Sequence, residues 1–170
     1  MSNFFRRPVP IEFDITIGRD AIVGTVVSTL NKMAEARFDG QNTQYVNNMQ
    51  PEIDFEQDRN LVYEYYNEAI GNITRRIEPY VSGCEDITEG TIGNVFHLSM
   101  PENWRNTLQQ SLKTKMENYI VHYIICQWLE KVSVSDTEYT TAKANKLLGE
   151  IKWTCELRKG VVHRIWNGTY

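Results

Sequence analysis

The sequence predicts a mainly α-helical protein, organised as a helical bundle with a long C-terminal helical hairpin, a minor N-terminal strand and extended terminal arms. Apolar residues recur at intervals of three and four over several long segments, which is the spacing of one helix face. Two capping-box patterns, at 99–102 and 135–138, precede two of these segments. Most prolines and glycines lie between the segments, where they punctuate the chain.

A chain of 170 residues favours a single domain over 1–170 and is long enough to bury a core. Residues 1–10 are expected to form an N-terminal arm, because the two prolines there resist both helix and central strand. The helical body is expected over 11–160. Residues 161–170 follow a helix-ending glycine and are expected to form a C-terminal arm.

The first half of the body begins with a strand. Residues 11–17 alternate apolar and polar side chains, which is typical of a half-buried strand. Asp20 can cap a helix over 21–37, where apolar residues share one face. Residues 38–51 are rich in Asn, Gln and Gly, so we expect a loop.

The next predicted helix covers 55–81. Its apolar face is expected to comprise Leu61, Tyr65, Ala69, Ile73, Ile77 and Tyr80. Tyr63 and Tyr66 would then point elsewhere, either against a second neighbouring element or onto an intersubunit surface. Residues 82–98 contain three glycines and are expected to form a loop with one short strand or hairpin.

The C-terminal half gives the strongest helical pattern. The box at Ser99 is expected to open a helix that continues to about Leu129. The box at Ser135 is expected to open another that continues to about Lys159. Because only a short break separates the two helices, they are expected to pack as an antiparallel hairpin.

Charge is unevenly distributed along the chain, whose formal net charge is −4. Residues 41–100 carry three basic and ten acidic residues, a net of −7, and residues 101–170 carry ten basic and seven acidic, a net of +3. This asymmetry suits head-to-tail contact between copies of the chain, although an ordinary solvated surface would explain it equally well. The chain is not basic enough to indicate nucleic-acid binding.

No catalytic, cofactor-binding or metal-binding residue is predicted, and the chain is not expected to be an enzyme. The three cysteines are widely spaced, which fits neither a disulfide framework nor a zinc site and favours a reducing compartment. His122 and Cys126 are one helical turn apart, but two ligands do not make a metal site. The pair Glu64 and Glu68 fits a solvated helix face better than acid–base chemistry. The most apolar run, 119–129, is too short to span a bilayer, so no membrane partner is expected.

The two termini combine large apolar side chains with arginine, a composition that is enriched in interface hot spots. The candidate interface residues are Phe4, Phe5, Arg6, Arg7, Val161, Val162, Ile165, Trp166 and Tyr170. Such a terminus needs a partner surface. The two alternatives are docking on its own domain and docking on a neighbouring subunit.

Residues 55–170 resemble the head–tail connector, or adaptor, proteins of tailed bacteriophages. The segment LKTKMENYIVHYIICQWLEK, followed by a short break and KANKLLGEIKWTCELRKG, is similar to their C-terminal hairpin. The resemblance implies a homo-oligomeric ring in the virion, assembled in the host cytoplasm, that contacts portal and tail or other collar proteins. DNA would pass through the ring without sequence-specific binding, and the termini would reach neighbouring subunits.

The N-terminal part departs from that family. The strand and helix in residues 11–37 are not part of the usual short adaptor, which leaves open another ring or collar component of the virion. Two other classes of function also remain open. One is a helical interaction or regulatory module of a cell, and the other is a small helical enzyme whose carboxylates meet only in three dimensions.

Overall fold

The structure is a computed structural model that describes residues 8–90, 92–132 and 137–159. The described residues are mainly helical and include a small three-stranded antiparallel sheet. In chain order the elements are β1 (Ile11–Gly18), α1 (Arg19–Arg37), α2 (Thr43–Met49), α3 (Glu56–Arg76), β2 (Val81–Ile87), β3 (Gly93–Met100), α4 (Gln109–Lys131) and α5 (Thr137–Glu156). Short 3-10 turns precede β2 and α4.

The sheet has the order β1–β3–β2, so β3 is central and β1 and β2 are the edges. Ile15 of β1 and Cys84 of β2 both lie opposite Phe96 of β3. Alternate side chains of β1 and β3, such as Ile17 and Leu98, are buried against the helices. The predicted N-terminal strand is confirmed, and the region predicted to hold one short strand or hairpin contributes two strands.

The buried face of α3 differs from the predicted one. Tyr66 is 1% exposed, and its hydroxyl donates a hydrogen bond of 3.3 Å to the carbonyl of Ile17. Tyr65 is only half-buried. Of the two alternatives given for Tyr66, packing against a second element is the one observed, and Tyr66 rather than Tyr65 belongs to the buried face because adjacent tyrosines leave the helix rotation ambiguous by one residue. The carbonyl at the end of β1 supplies the partner that a buried phenol needs.

The capping predictions for α1 and α4 were also wrong. α1 follows Gly18 without a side-chain cap, and Asp20 lies inside its first turn. Ser99 belongs to β3, where it pairs with Glu12 of β1, and α4 begins only at Gln109. The strand pairing uses the backbone groups of Ser99, so this residue cannot start a helix.

The segment predicted to be a loop before α3 contains the short helix α2. Met49, its last residue, is fully buried and its carbonyl accepts a 3.0 Å hydrogen bond from the Trp128 indole on α4. Burial of Met49, rather than local propensity, therefore holds α2 in place.

α4 and α5 pack against each other. The Lys115 ammonium donates to the Thr154 hydroxyl at 2.8 Å, and the Cys126 sulfur lies 2.9 Å from the Thr141 hydroxyl. Lys115 precedes Cys126 along α4, whereas the partner of Lys115, Thr154, follows the partner of Cys126, Thr141, along α5. Within the described ranges, none of the helices is long and apolar enough to cross a membrane.

Candidate interaction surfaces

The nine predicted interface residues fall in the ranges 1–7 and 160–170, which lie outside the described residues. The structure instead describes the places where these segments join the body. At the N-terminal junction, Pro8 and Pro10 line a cavity of about 570 Å³ together with Pro101 and Asn103. The entry to β1 and the turn after β3 therefore form one surface.

The C-terminal junction lies at the same turn. The backbone N–H of Lys159 donates a 2.6 Å hydrogen bond to the carbonyl of Asn103, and Arg158 forms an antiparallel bridge with Trp104. The Arg105 side chain donates to the Arg158 carbonyl at 2.9 Å. Because Asn103 takes part in both junctions, the two terminal segments leave the body at one end of the molecule.

A groove of about 630 Å³ lies between α3 and the edge strand β2. Ile70, Gly71 and Thr74 line it from the helix, and Cys84 and Asp86 line it from the strand. A Cβ atom built on Gly71 would meet no heavy atom within 4 Å, so this wall of the groove is open. The groove can accept side chains from a segment lying along the strand.

A smaller polar cavity of about 240 Å³ adjoins this groove and shares Asn67, Asp86 and Asn94 with it. The Asn94 amide donates a hydrogen bond to the Asp86 carboxylate. Arg19 also lines the cavity; its guanidinium lies 4.2 Å from the centre of the Tyr63 ring. Its Nε atom is buried and has no hydrogen-bond partner among the described residues.

Three titratable side chains meet on the outer face of the sheet. Nδ1 of His97 lies 2.7 Å from Asp14, and Nε2 lies 3.8 Å from Glu85. The hydrogen bond to Asp14 is the main cause that raises the pKa of His97, and the nearby carboxylate charges act in the same direction. Both ring nitrogens of His97 therefore lie beside carboxylates of the neighbouring strands.

Two other candidate acid–base groups, Glu68 and His122, lie on α3 and α4. Glu68 accepts a 3.0 Å hydrogen bond from the Tyr123 hydroxyl, and burial followed by this bond raises the pKa of Tyr123 to about 12. Burial, together with the charge of Lys143, lowers the pKa of His122. In the described parts of the chain, no group of three or more His, Cys, Asp or Glu side chains could hold a metal ion.

The helices also expose apolar side chains. On α5, Tyr139 is 72% exposed and Trp153 is 57% exposed. The fourteen-residue spacing places them on one helix face, opposite the buried Ile151. Along α1, a groove of about 700 Å³ has Val23 and Val27 among its apolar lining residues.

The sequence did not identify the groove between α3 and β2, because its two walls are brought together only by the sheet order. The sequence feature that relates to this groove is the acidic middle of the chain. Ten acidic residues lie in 41–100, and two of them, Glu78 and Asp86, line this groove.

No protein-family model matches the chain, and no curated protein or solved structure is significantly similar to it. Its function is therefore inferred from its own residues and geometry.

Proposed function

We propose that this chain is a virion structural protein of the head–tail connector type, which forms a ring between portal and tail. The observation that carries the proposal is the junction at Asn103. The N-terminal and C-terminal segments, which contain all nine candidate interface residues, join the body at the same end. Two arms that start from one place can bind a neighbouring subunit at one place.

The body suits a repeating unit in such a ring. α4 and α5, taken as the predicted hairpin, pack on α3. An acidic middle and a basic end in one chain favour heterologous contacts, in which different surfaces of two copies meet. Heterologous contacts generate rings when the rotation between copies closes.

The energetic contribution of the arms is large enough to decide assembly. An extended ten-residue segment reaches about 30 Å, which is sufficient to cross onto a neighbour. Burying one large apolar side chain such as that of Trp166 contributes on the order of 2–3 kcal/mol. Each copy in a ring would make the same contact, so the contribution is repeated around the assembly.

In this proposal the ring assembles in the host cytoplasm, remains in the virion and lets DNA pass without reading its sequence. The formal net charge of −4 supports the last point, because tight contact with phosphates requires an excess of basic groups.

The test is the oligomeric state of the full chain, measured by size-exclusion chromatography with light scattering and by negative-stain electron microscopy. We expect a closed ring of defined mass. Deletion of residues 161–170 is expected to preserve helical circular dichroism and to shift the mass toward smaller species. The matched pair is Trp166→Ala in the arm and Trp153→Ala on the exposed face of α5; only the first is expected to weaken the ring.

Each alternative result has a definite meaning. A full chain that stays monomeric at all concentrations would contradict the ring and would favour a helical interaction module of a cell. If the truncated chain unfolds, the tail belongs to the core of its own domain. If the truncated chain assembles with undiminished stability, the helices carry the contact and the arms do not.

A further inference from the structure

We infer that the groove between α3 and β2 binds the C-terminal arm of a neighbouring copy, which adds to the free edge of β2 as a fourth strand. This inference rests on the proposed function and names the surface that receives the arm. The segment that adds as a strand is residues 161–166. The receiving residues are Gly71 and Thr74 on the helix and Cys84 and Asp86 on the strand.

The first support is the unpaired edge. β2 pairs with β3 on one side, and no other strand of the described residues pairs with its opposite side. An edge strand presents a row of backbone N–H and C=O groups that can bond an added strand. A groove between an edge strand and a helix can then accept alternate side chains of that strand, which provides specificity.

The second support is charge. Residues 77–90, which include β2, contain four acidic residues and no lysine or arginine. The added segment, residues 161–166, contains Arg164 and no acidic residue. Pairing two copies of β2 would place like charges opposite each other, whereas a basic strand next to β2 places opposite charges together. Arg75 lines the groove from α3, so the acidic charge lies on the strand side, and that side favours a basic segment.

The third support is the composition of the segment. Residues 161–166 read Val-Val-His-Arg-Ile-Trp, in which four of the six side chains are β-branched or aromatic. Residues of these types are favoured in strands. In an added strand, alternate side chains would enter the groove and the intervening ones would face solvent.

The proposed ring makes a neighbouring copy the source of the arm, and the C-terminal junction defines the rival occupant. Lys159 is bound to Asn103, beside the prolines that lead into β1. The Arg158 side chain does reach the Tyr80 hydroxyl at 3.4 Å, next to the start of β2, which makes the arm of the same chain the rival occupant.

The decisive experiment is disulfide trapping in the full chain, with the half-buried Cys84 as the probe in the groove. Residues 161–166 are replaced by cysteine one at a time, and each variant is oxidised mildly and run on a non-reducing gel. We expect intermolecular crosslinks to Cys84 whose yield is several-fold higher at alternate positions. The Cys84→Ser chain carrying the same replacements is the control and should not crosslink.

Other trapping patterns overturn the inference. Crosslinks within one chain would assign the groove to the chain's own arm. Equal yields at all six positions would exclude a regular strand, and the absence of crosslinks in an assembled ring would place the arm elsewhere. In the last case light scattering would still detect the ring. The proposed function would then stand, and only the docking site would be contradicted.

A blocking substitution gives an independent readout. In Gly71→Phe a ring enters the groove from α3, where a Cβ atom meets no neighbour. We expect reduced ring mass with unchanged helical circular dichroism, because glycine is the poorer helix former. Gly149→Phe on α5 is the matched control, since its Cβ position is equally open and it lies outside the groove. A ring that is unaffected by Gly71→Phe would contradict the inference.

Discussion

Nδ1 of His97 lies 2.7 Å from a carboxylate oxygen of Asp14, directly across the pairing between β3 and β1. The pair occupies the outer face of the sheet. Glu85 of β2 approaches the other ring nitrogen at 3.8 Å, so the histidine connects all three strands. The raised pKa of His97 is a measurable consequence of this geometry.

We predict that His97 titrates above its ordinary pKa of 6.5 and that His122 titrates below it. Asp14→Asn should lower the pKa of His97 more than Glu85→Gln does, because Asp14 makes the shorter contact. The folded pKa is raised, so the stabilisation is fully present below the ordinary pKa and is lost as the pH rises through the folded pKa. Two-dimensional NMR of the imidazole carbons measures both midpoints in one titration, with His97→Gln for assignment.

A midpoint for His97 at or below that of His122 would contradict this prediction. Added salt should reduce the difference, because both partners of His97 are exposed and screened.

The second prediction concerns the three thiols. Burial raises the pKa of Cys155 to about 12, and burial also raises the pKa of Cys84, with Asp86 adding to it. Cys155 is fully buried, whereas Cys84 lines the open groove. Iodoacetamide at about pH 8 should therefore modify Cys84 first, faster as the pH rises, and leave Cys155 unmodified in the native chain.

Mass spectrometry of the peptides follows this reaction. Reaction in denaturant is the control, and there all three cysteines should be modified at similar rates. Equal labelling of Cys84 and Cys155 in native buffer would show that the buried helix face opens freely.

The long periodic segments could be predicted from the sequence, because burial against a core imposes the helical spacing that the sequence displays. α1, α3, α4 and α5 and the strand β1 were found in this way. The boundaries of elements that depend on distant contacts could not be predicted from the sequence. The capping box at Ser99 is a local pattern, and an eight-residue pairing between β1 and β3 overrides it.

For the candidate surfaces, too, some features could be predicted from the sequence and others could not. Composition gave the acidic middle of the chain, and it predicted the terminal segments as interaction surfaces, whose candidate residues lie outside the described ranges. It could not place Gly71 and Cys84 on the two walls of one groove, because that arrangement depends on how α3 packs over the sheet and on the position of β2 at its edge. The helix α2 was missed because its Asn-rich composition indicates a loop, and its burial depends on α4.

The turn before α2 gives the third prediction. One carboxylate oxygen of Asp39 accepts backbone hydrogen bonds of 2.9 Å from Gln41 and from Asn42. Both bonds lower the pKa of Asp39, and the bond from Gln41 has the larger effect. Asp39→Ala should loosen α2, which hydrogen exchange of the α2 amides and of the Trp128 indole would detect. The exposed Asp54→Ala is the matched control.

The pH dependence of the turn has the opposite sign to that of His97. The folded pKa of Asp39 is lowered, so its stabilisation is present above the ordinary pKa of 3.8 and is lost as the pH falls through the folded pKa. Protection of the α2 amides that stayed constant on acidification, or that was unchanged in Asp39→Ala, would show that the turn does not hold α2.

The last prediction compares two tryptophans. Trp104 is fully buried, its indole donates a 2.9 Å hydrogen bond to the carbonyl of Thr154 on α5, and its ring stacks on Phe13 of β1 with centroids 5.2 Å apart. Trp104→Ala should cost about 3–5 kcal/mol of unfolding free energy, because it leaves a large cavity. Trp104→Phe fills most of the space but leaves the Thr154 carbonyl without its donor, which costs about 1–3 kcal/mol.

Trp153 is the control, since it lies on the exposed face of α5, where the Lys115 ammonium lies 5.8 Å from the centre of its ring. Trp153→Ala should change the unfolding free energy by at most about 1 kcal/mol. Urea denaturation followed by far-ultraviolet circular dichroism compares the variants without relying on tryptophan emission. Trp104 also bridges to Arg158 at the C-terminal junction, so its loss should loosen the place from which the arm departs. Equal destabilisation by Trp104→Ala and Trp153→Ala would show that Trp104 does not join β1 to α5.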